Sequence, residues 1–171
     1  AIPDVVDFAR RVYGDIDVVL SPVDLVGADG PFPAGPTDGD SPANEDPRQR
    51  TPFAAAWTVA ALAEAARCRT TSMTLFELLG PRGLLEDAQP YPVAALLEAL
   101  APRRGQRLCG VHVDDPDRLA ALAFDTAGCP DLVLANLTSA DLVACTPTGQ
   151  FLDLAPYAVV RVDDGRTERI A

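Results

Sequence analysis

The chain has 171 residues, of which 48% are hydrophobic and 23% charged, and a formal net charge of −11. This is the balance of a globular protein with a packed core, and its negative charge disfavours nucleic acid, whose phosphates it would repel. No apolar run approaches the roughly 20 residues that span a bilayer, and no signal peptide is visible, so we expect a cytoplasmic protein with no membrane partner.

A helix followed by a short strand opens the chain. Apolar residues recur at helical spacing over 3–12, and Gly14 follows as a helix C-cap. Residues 17–21, Asp-Val-Val-Leu-Ser, are mostly apolar and β-branched. This pattern is typical of a strand buried on both faces in a parallel sheet.

A loop of about thirty residues, 22–50, is rich in Pro, Gly and Asp. Loops of this length inside compact domains are usually functional or disordered. Thr51 and Pro52 then predict the start of a helix, since Thr can cap it and Pro suits the first helical position. The Ala-rich segment 54–66 continues this helix.

A second strand is predicted at 72–77, followed by a loop at 78–91 and a helix from Pro92 to Leu100. The order helix, strand, helix, strand, helix is βα repetition. Two parallel strands cannot close a barrel, and a buried parallel sheet needs neighbours on both sides. We therefore expect the chain to be the C-terminal portion of a (β/α)₈ barrel enzyme that needs the missing N-terminal part of the same chain, and to be poorly stable alone.

Beyond residue 105 the pattern changes to short strands separated by turns. This predicts a small antiparallel β-sandwich-like domain, although a helix over 118–124 stays open. The predicted domains are therefore 1–104, with strands at about 17–21 and 72–77, and 105–171. The strands predicted in the second domain lie at 108–113, 119–124, 132–136, 142–146 and 158–162.

The sequence has no metal-binding or phosphate-binding motif, so we expect no cofactor and no metal. His112 is predicted to be a solvent-facing strand residue, and Asn136 begins a glycosylation sequon that we interpret as accidental. The cysteines are widely spaced, which favours free thiols, although two disulfides are arithmetically possible. They are Cys68, Cys109, Cys129 and Cys145.

Three stretches together carry a family resemblance: 18–23 (Val-Val-Leu-Ser-Pro-Val), 46–49 (Asp-Pro-Arg-Gln) with 54–59, and 72–77 with Gly-Pro-Arg-Gly at 80–83. They resemble the C-terminal region of the D-apionate lactonase family, bacterial hydrolases of a branched-sugar lactone in carbohydrate catabolism. The resemblance covers about residues 1–140. It implies a glycosidase-like barrel, whose last two strands are the two predicted here, followed by a β-domain.

The active site of such a barrel lies at the carboxyl ends of its strands. Glu77, at the predicted end of the last strand, is our candidate general acid or base; the alternative is a structural pair with Arg82. Arg48 is a candidate for stabilising an oxyanion; the alternative is a loop salt bridge with Asp46.

Four further residues are candidates for binding the substrate. Ser21 and Gln49 could bind sugar hydroxyls, or could serve in turns and caps. Arg82 lies in the loop that follows Glu77. Trp57 could form an aromatic platform, although helix packing is the commoner reason for a Trp at such a position.

These residues favour a sugar lactonase, with a small-molecule sugar lactone as substrate. A glycoside hydrolase of the same barrel type is an alternative, but the first strand ends in Leu-Ser-Pro-Val at 20–23, with no carboxylate until Asp24. This counts against retaining chemistry. A non-catalytic carbohydrate-binding or structural module is the third possibility.

Overall fold

The structure is a computed structural model that describes residues 2–25, 46–126 and 130–171. Residues 26–45, most of the predicted loop, and Cys129 lie outside the described residues. Among those described, no helix combines the length and the apolar character needed to cross a membrane.

The N-terminal half contains the predicted alternation of helices and strands. Strands β1 (Val19–Val23) and β2 (Ser72–Leu75) pair in parallel, as predicted. Leu20 lies opposite Met73 and Val23 lies opposite Leu75, and β1 begins two residues later than predicted. Within the described residues this sheet has two strands, so they form no closed barrel. The elements are α1 (Ile2–Tyr13), β1 (Val19–Val23), a 3₁₀ helix (Pro47–Arg50), α2 (Pro52–Arg67), β2 (Ser72–Leu75) and α3 (Pro92–Leu100).

The helix ends follow local chemistry. Gly14 ends α1 with φ +84° and its N–H donates to the Arg10 carbonyl at 2.9 Å, as a C-cap glycine should. Thr51 stands at the N-cap of α2, but its hydroxyl donates instead to the Arg48 carbonyl at 2.8 Å. The Arg10 guanidinium donates to the carbonyls of Cys68 and Arg69, which ties α1 to the end of α2.

The segment predicted as a loop at 78–91 is instead a small three-stranded sheet. Strands β3 (Glu77–Leu79) and β4 (Gly83–Glu86) pair in parallel, and β4 pairs with β5 (Gln89–Pro90) in antiparallel fashion. The predicted strand 72–77 is interrupted because Phe76 takes a positive φ of 54°. Glu77 therefore begins β3 and does not end β2.

The C-terminal half is antiparallel, as predicted, and 119–124 is a strand, so the helical alternative is wrong. A five-stranded sheet has the order β12-β11-β8-β7-β6, and β9 and β10 form a separate hairpin. Strand β6 is shorter than predicted, and β10 and β12 were not predicted. The strands are β6 (Leu108–Cys109), β7 (Leu119–Phe124), β8 (Asp131–Asn136), β9 (Leu142–Cys145), β10 (Phe151–Leu154), β11 (Val159–Asp163) and β12 (Arg166–Arg169).

Helix α2 joins the two halves through a shared core. Its small apolar face, with Ala55 and Val59 fully buried, packs on one face of the five-stranded sheet, which includes Leu122 and Val133. The opposite face of the sheet packs on the β9–β10 hairpin. Strands β7 and β8 are thus buried on both faces, which is why their sequences are almost continuously apolar.

Candidate active site at the strand ends

The connections after β1 and β2 leave the same edge of the parallel sheet, because parallel strands have their carboxyl ends together. The Phe76 N–H, just beyond β2, donates to the Val23 carbonyl at the end of β1 at 3.3 Å. The next residue along each connection is a carboxylate: Asp24 follows Val23, and Glu77 follows Phe76. The catalytic edge of a barrel would therefore carry both.

Arg82 connects these two carboxylates. Its guanidinium forms a close ion pair with Glu77, and its Nη1 lies 3.9 Å from Asp24 Oδ2. The hydrogen bond to Glu77 is the main reason that the pKa of Arg82 is raised. The Asp24 side chain is 10% exposed, that of Arg82 33% and that of Glu77 52%, so exposure to solvent increases from Asp24 to Glu77. We call Asp24, Glu77 and Arg82 the strand-end cluster.

Asp24 is absent from the predicted site residues, although one signal pointed to it: it is the first carboxylate after the first predicted strand. Glu77 and Arg82 were both predicted as site residues, and the structure brings them together. Their contact is also the structural pair that the sequence left open as an alternative.

Arg48 lies in the 3₁₀ helix on the connection that follows β1. Its Nε lies 3.0 Å from both carboxylate oxygens of Asp46, and its Nη2 lies 2.6 Å from Oδ2. These hydrogen bonds are the main reason that the pKa of Asp46 is lowered. The guanidinium also lies 4.5 Å above the centre of the Phe53 ring. The loop salt bridge considered from the sequence is thus present, and half of the Arg48 side chain remains exposed.

Gln49 and Trp57 make structural contacts. Gln49 is 2% exposed, and its Nε2 donates to the Gly83 carbonyl at 2.8 Å, which joins the 3₁₀ helix to β4. Trp57 is half-buried at the edge of the core, and its ring centre lies 6.2 Å from that of Phe76. Ser21 is exposed on β1. Of these predicted substrate-binding residues, Ser21 is the most accessible.

A further polar group on this edge was not predicted from the sequence. The Tyr91 hydroxyl donates to Glu86 Oε2 at 2.8 Å, and Arg50 donates to Glu86 Oε1 at 2.7 Å. Burial is the main reason that the pKa of Tyr91 is raised. Arg50, Glu86 and Tyr91 thus link the 3₁₀ helix to the small sheet and to the start of α3. No local sequence pattern predicts this link.

A second charged cluster is buried between α3 and the five-stranded sheet. Asp131 is 3% exposed and accepts hydrogen bonds from Arg103 and from Arg161, whose Nε lies 2.9 Å from Asp131 Oδ1. The Arg103 guanidinium also lies 5.7 Å from the centre of the Phe124 ring. We call Arg103, Asp131 and Arg161 the buried cluster.

The other sequence candidates lie in the C-terminal half. His112 is exposed, in a connection and not in a strand. Asn136 is fully buried and its amide donates to three carbonyls, which supports the accidental interpretation of the sequon. Cys68, Cys109 and Cys145 are free, and burial raises the pKa of Cys68.

Cavities of about 530 and 760 Å³ flank the segment 109–113 beside the five-stranded sheet, and neither is lined by the strand-end cluster. Within the described ranges, no three His, Cys, Asp or Glu side chains are grouped to hold a metal ion.

Comparison with protein-family models identifies the family to which the chain belongs. The model of the D-apionate lactonase TIM barrel domain matches residues 1–105, more than half of the chain. The chain belongs to the D-apionate lactonase family. The model of the C-terminal immunoglobulin-like domain of D-apionate lactonase matches residues 116–162. A search of curated proteins finds no match.

The two family matches agree with the resemblance identified from the sequence. The TIM barrel match contains the parallel pair β1–β2, and the immunoglobulin-like match contains β7 to β10 and most of β11. We refer below to the barrel region and the immunoglobulin-like region of this D-apionate lactonase family chain.

Proposed function

We propose that this chain supplies part of the active site of a hydrolase that opens a sugar lactone in carbohydrate catabolism. The observation that carries the proposal is the strand-end cluster, in which Arg82 contacts carboxylates from two neighbouring strand ends. Membership of the D-apionate lactonase family supports the same reaction class.

A lactone is a cyclic ester, and its hydrolysis needs a base and a stabiliser for an oxyanion. In the proposed mechanism Glu77 takes a proton from water as the oxygen attacks the lactone carbonyl carbon. Arg82, beside Glu77, stabilises the negative charge that forms on the carbonyl oxygen. The oxyanion then re-forms the C=O bond as the bond between the carbonyl carbon and the ring oxygen breaks. Glu77 returns its proton to the ring oxygen, which gives the linear hydroxy acid and the starting state of Glu77.

Arg48 was the predicted oxyanion donor, but its side chain donates three hydrogen bonds to Asp46. Arg82 is the better candidate because it contacts Glu77 directly. Arg48 then serves as a second cation at the edge of the site, and Ser21 as a hydroxyl binder. Gln49 and Trp57 support the site from behind, through Gly83 and Phe76.

We also propose that further βα units, from the N-terminal part of the same chain, complete the barrel around β1 and β2. Val19 on β1 is 59% exposed, and Val5, Phe8 and Val12 form an exposed apolar face on α1. Strands and helices of a barrel bury such surfaces against the preceding units. The proposed reaction therefore belongs to the full-length protein.

Replacing Glu77 with Gln in the full-length protein tests this function. The change keeps the volume and removes the base, so lactone hydrolysis should fall by about 10²–10⁴, the usual contribution of a general base. The melting temperature should change little, because Glu77 is half-exposed. Turnover and thermal melting are measured on the same preparations.

Glu64→Gln is the matched control, because Glu64 also forms an exposed ion pair with an arginine, Arg67, on α2. This variant should keep the parental rate. Parental turnover by Glu77→Gln would exclude Glu77 as the base, and a parent that opens no sugar lactone would overturn the proposed function.

A glycoside hydrolase is the second candidate, and the position of Asp24 favours it over a non-catalytic module. Asp24 and Glu77 share one guanidinium, and two nearby carboxylates are the machinery of glycosidic cleavage. Assays of the parent with aryl glycosides and with sugar lactones separate the two. Faster turnover of the glycosides would replace the lactonase proposal.

A further inference from the structure

We propose that Tyr157, in the immunoglobulin-like region, is a positioning residue that fixes the geometry of the proposed reacting groups, Glu77 and Arg82, at the strand ends of the barrel region. The inference rests on the proposed function, and it gives the C-terminal region a part in catalysis beyond packing.

The first step is a direct contact between the two regions. The Tyr157 ring meets the Phe53 ring edge to face, with 5.3 Å between centres and an interplanar angle of 80°. Phe53 lies at the start of α2, and the Arg48 guanidinium covers its ring at 4.5 Å. Aromatic pairs prefer this edge-to-face geometry, and a guanidinium over an aromatic ring is attracted to its face.

The second step connects this stack to the reacting groups. Arg48 and Gln49 are neighbours in the 3₁₀ helix, and Gln49 is hydrogen-bonded to the Gly83 carbonyl. Gly83 follows Arg82 directly and lies opposite Glu77 in the pairing of β3 with β4. A displacement of the 3₁₀ helix would therefore be transmitted to both charged residues of the proposed mechanism.

Gly83 makes this connection stiff. A Cβ at this position would lie 2.7 Å from the Leu79 carbonyl carbon, so the backbone of β4 is held close to that of β3. Such a close approach leaves little room for Arg82 to adjust if its support on the Gln49 side moves.

Tyr157 itself is held in an unfavourable backbone conformation. Its φ is +55°, in the left-handed region that bulky residues rarely adopt. Its N–H donates to the Thr138 carbonyl at 3.2 Å, and the next N–H closes a turn on the Ala155 carbonyl at 3.0 Å. Strain of this kind persists only where the surrounding structure holds it, and it clusters at functional sites. The fold therefore keeps a strained tyrosine where it reaches the barrel region.

The test uses the full-length protein with Tyr157→Ala and Tyr157→Phe, and with Phe151→Ala as the control. Phe151 is an aromatic residue of the same region that is 74% exposed on the β9–β10 hairpin. Two quantities are measured for each variant: the kcat and KM of lactone hydrolysis, and the hydrogen exchange of the amides at 47–53.

Loss of the Tyr157 ring should lower kcat about tenfold while KM stays within about threefold of the parent, because displaced Glu77 and Arg82 stabilise the transition state less well. Amide exchange at 47–53 should become faster. Tyr157→Phe keeps the ring and should restore parental values, and Phe151→Ala should not differ from the parent.

Parental kcat and exchange in Tyr157→Ala would overturn the inference while leaving the proposed function intact. Parental kcat with faster exchange would also overturn it, because the ring would then support the fold alone. A parent that opens no sugar lactone would refute the proposed function, and with it the catalytic part of this inference, while the exchange measurement would still decide whether the ring braces the segment.

Discussion

The strand-end cluster and the buried cluster both consist of arginine and carboxylate side chains, but the numbers of the two are reversed. In the first, one arginine lies between two carboxylates, and Glu77 reaches solvent. In the second, one carboxylate lies between two arginines, and Asp131 and Arg103 are almost completely buried. Charges that a protein buries and pairs are committed to its fold, whereas charges that remain accessible can meet a ligand. The comparison supports the proposal that the reactive groups lie in the barrel region, whereas the buried cluster holds the two regions together.

The largest effect on stability is expected from Asp131→Ala. The change leaves Arg103 buried without its carboxylate, and breaking a buried pair typically costs about 3–5 kcal/mol. Asp163→Ala is the control, because Asp163 binds the same Arg161 but is half-exposed; a surface pair contributes at most about 1 kcal/mol. Urea unfolding of the full-length protein measures both. Equal losses of unfolding free energy would mean that burial does not make the Asp131 ion pairs more important for stability than the exposed Asp163 pair.

A smaller loss is expected from Asn136→Ala. The fully buried amide donates to the carbonyls of Ala140, Leu154 and Ala155, and its oxygen accepts from the Thr138 N–H. Leaving such partners unsatisfied costs about 1–3 kcal/mol. The same urea experiment checks this value, and a change below about 0.5 kcal/mol, the range of ordinary surface substitutions, would contradict the structural role.

The smallest effect concerns Asp46. Its pKa in the folded protein is lowered, mainly by the hydrogen bond to Arg48. A depressed folded pKa contributes stability that is present above the unfolded value of 3.8 and is lost as the pH falls through the folded pKa. The melting temperature of the parent should exceed that of Asp46→Asn at pH 7, and the difference should shrink below about pH 4. A difference that grows on acidification would reverse the assignment.

The sequence predicted the elements whose signals are local. The α2 start at Pro52 and the α3 start at Pro92 follow directly from capping and periodicity. Strand β7 was predicted from its apolar character, although a helix stayed open there. The parallel pairing of β1 and β2 followed from βα alternation. These signals need no knowledge of distant contacts.

The missed features depend on residues far apart in the chain or on short polar segments. Strand β12 is entirely exposed and carries no apolar pattern, so its pairing with β11 could not be predicted. The break at Phe76 depends on a positive φ that the residue type does not suggest. In the site, Asp24 and Arg82 are neighbours only because β1 and β2 lie side by side.

The measurement that tests the contrast most directly is the catalytic efficiency of Arg82→Gln in lactone hydrolysis, on full-length protein whose melting temperature is recorded alongside. The account predicts a loss of about 10²–10³, the usual effect of removing an oxyanion donor, with a nearly parental melting temperature. Arg103→Gln, the same change in the buried cluster, should instead lower the melting temperature and leave the efficiency of the folded enzyme intact. A parental efficiency for Arg82→Gln would contradict the assignment of reactivity to the strand-end cluster.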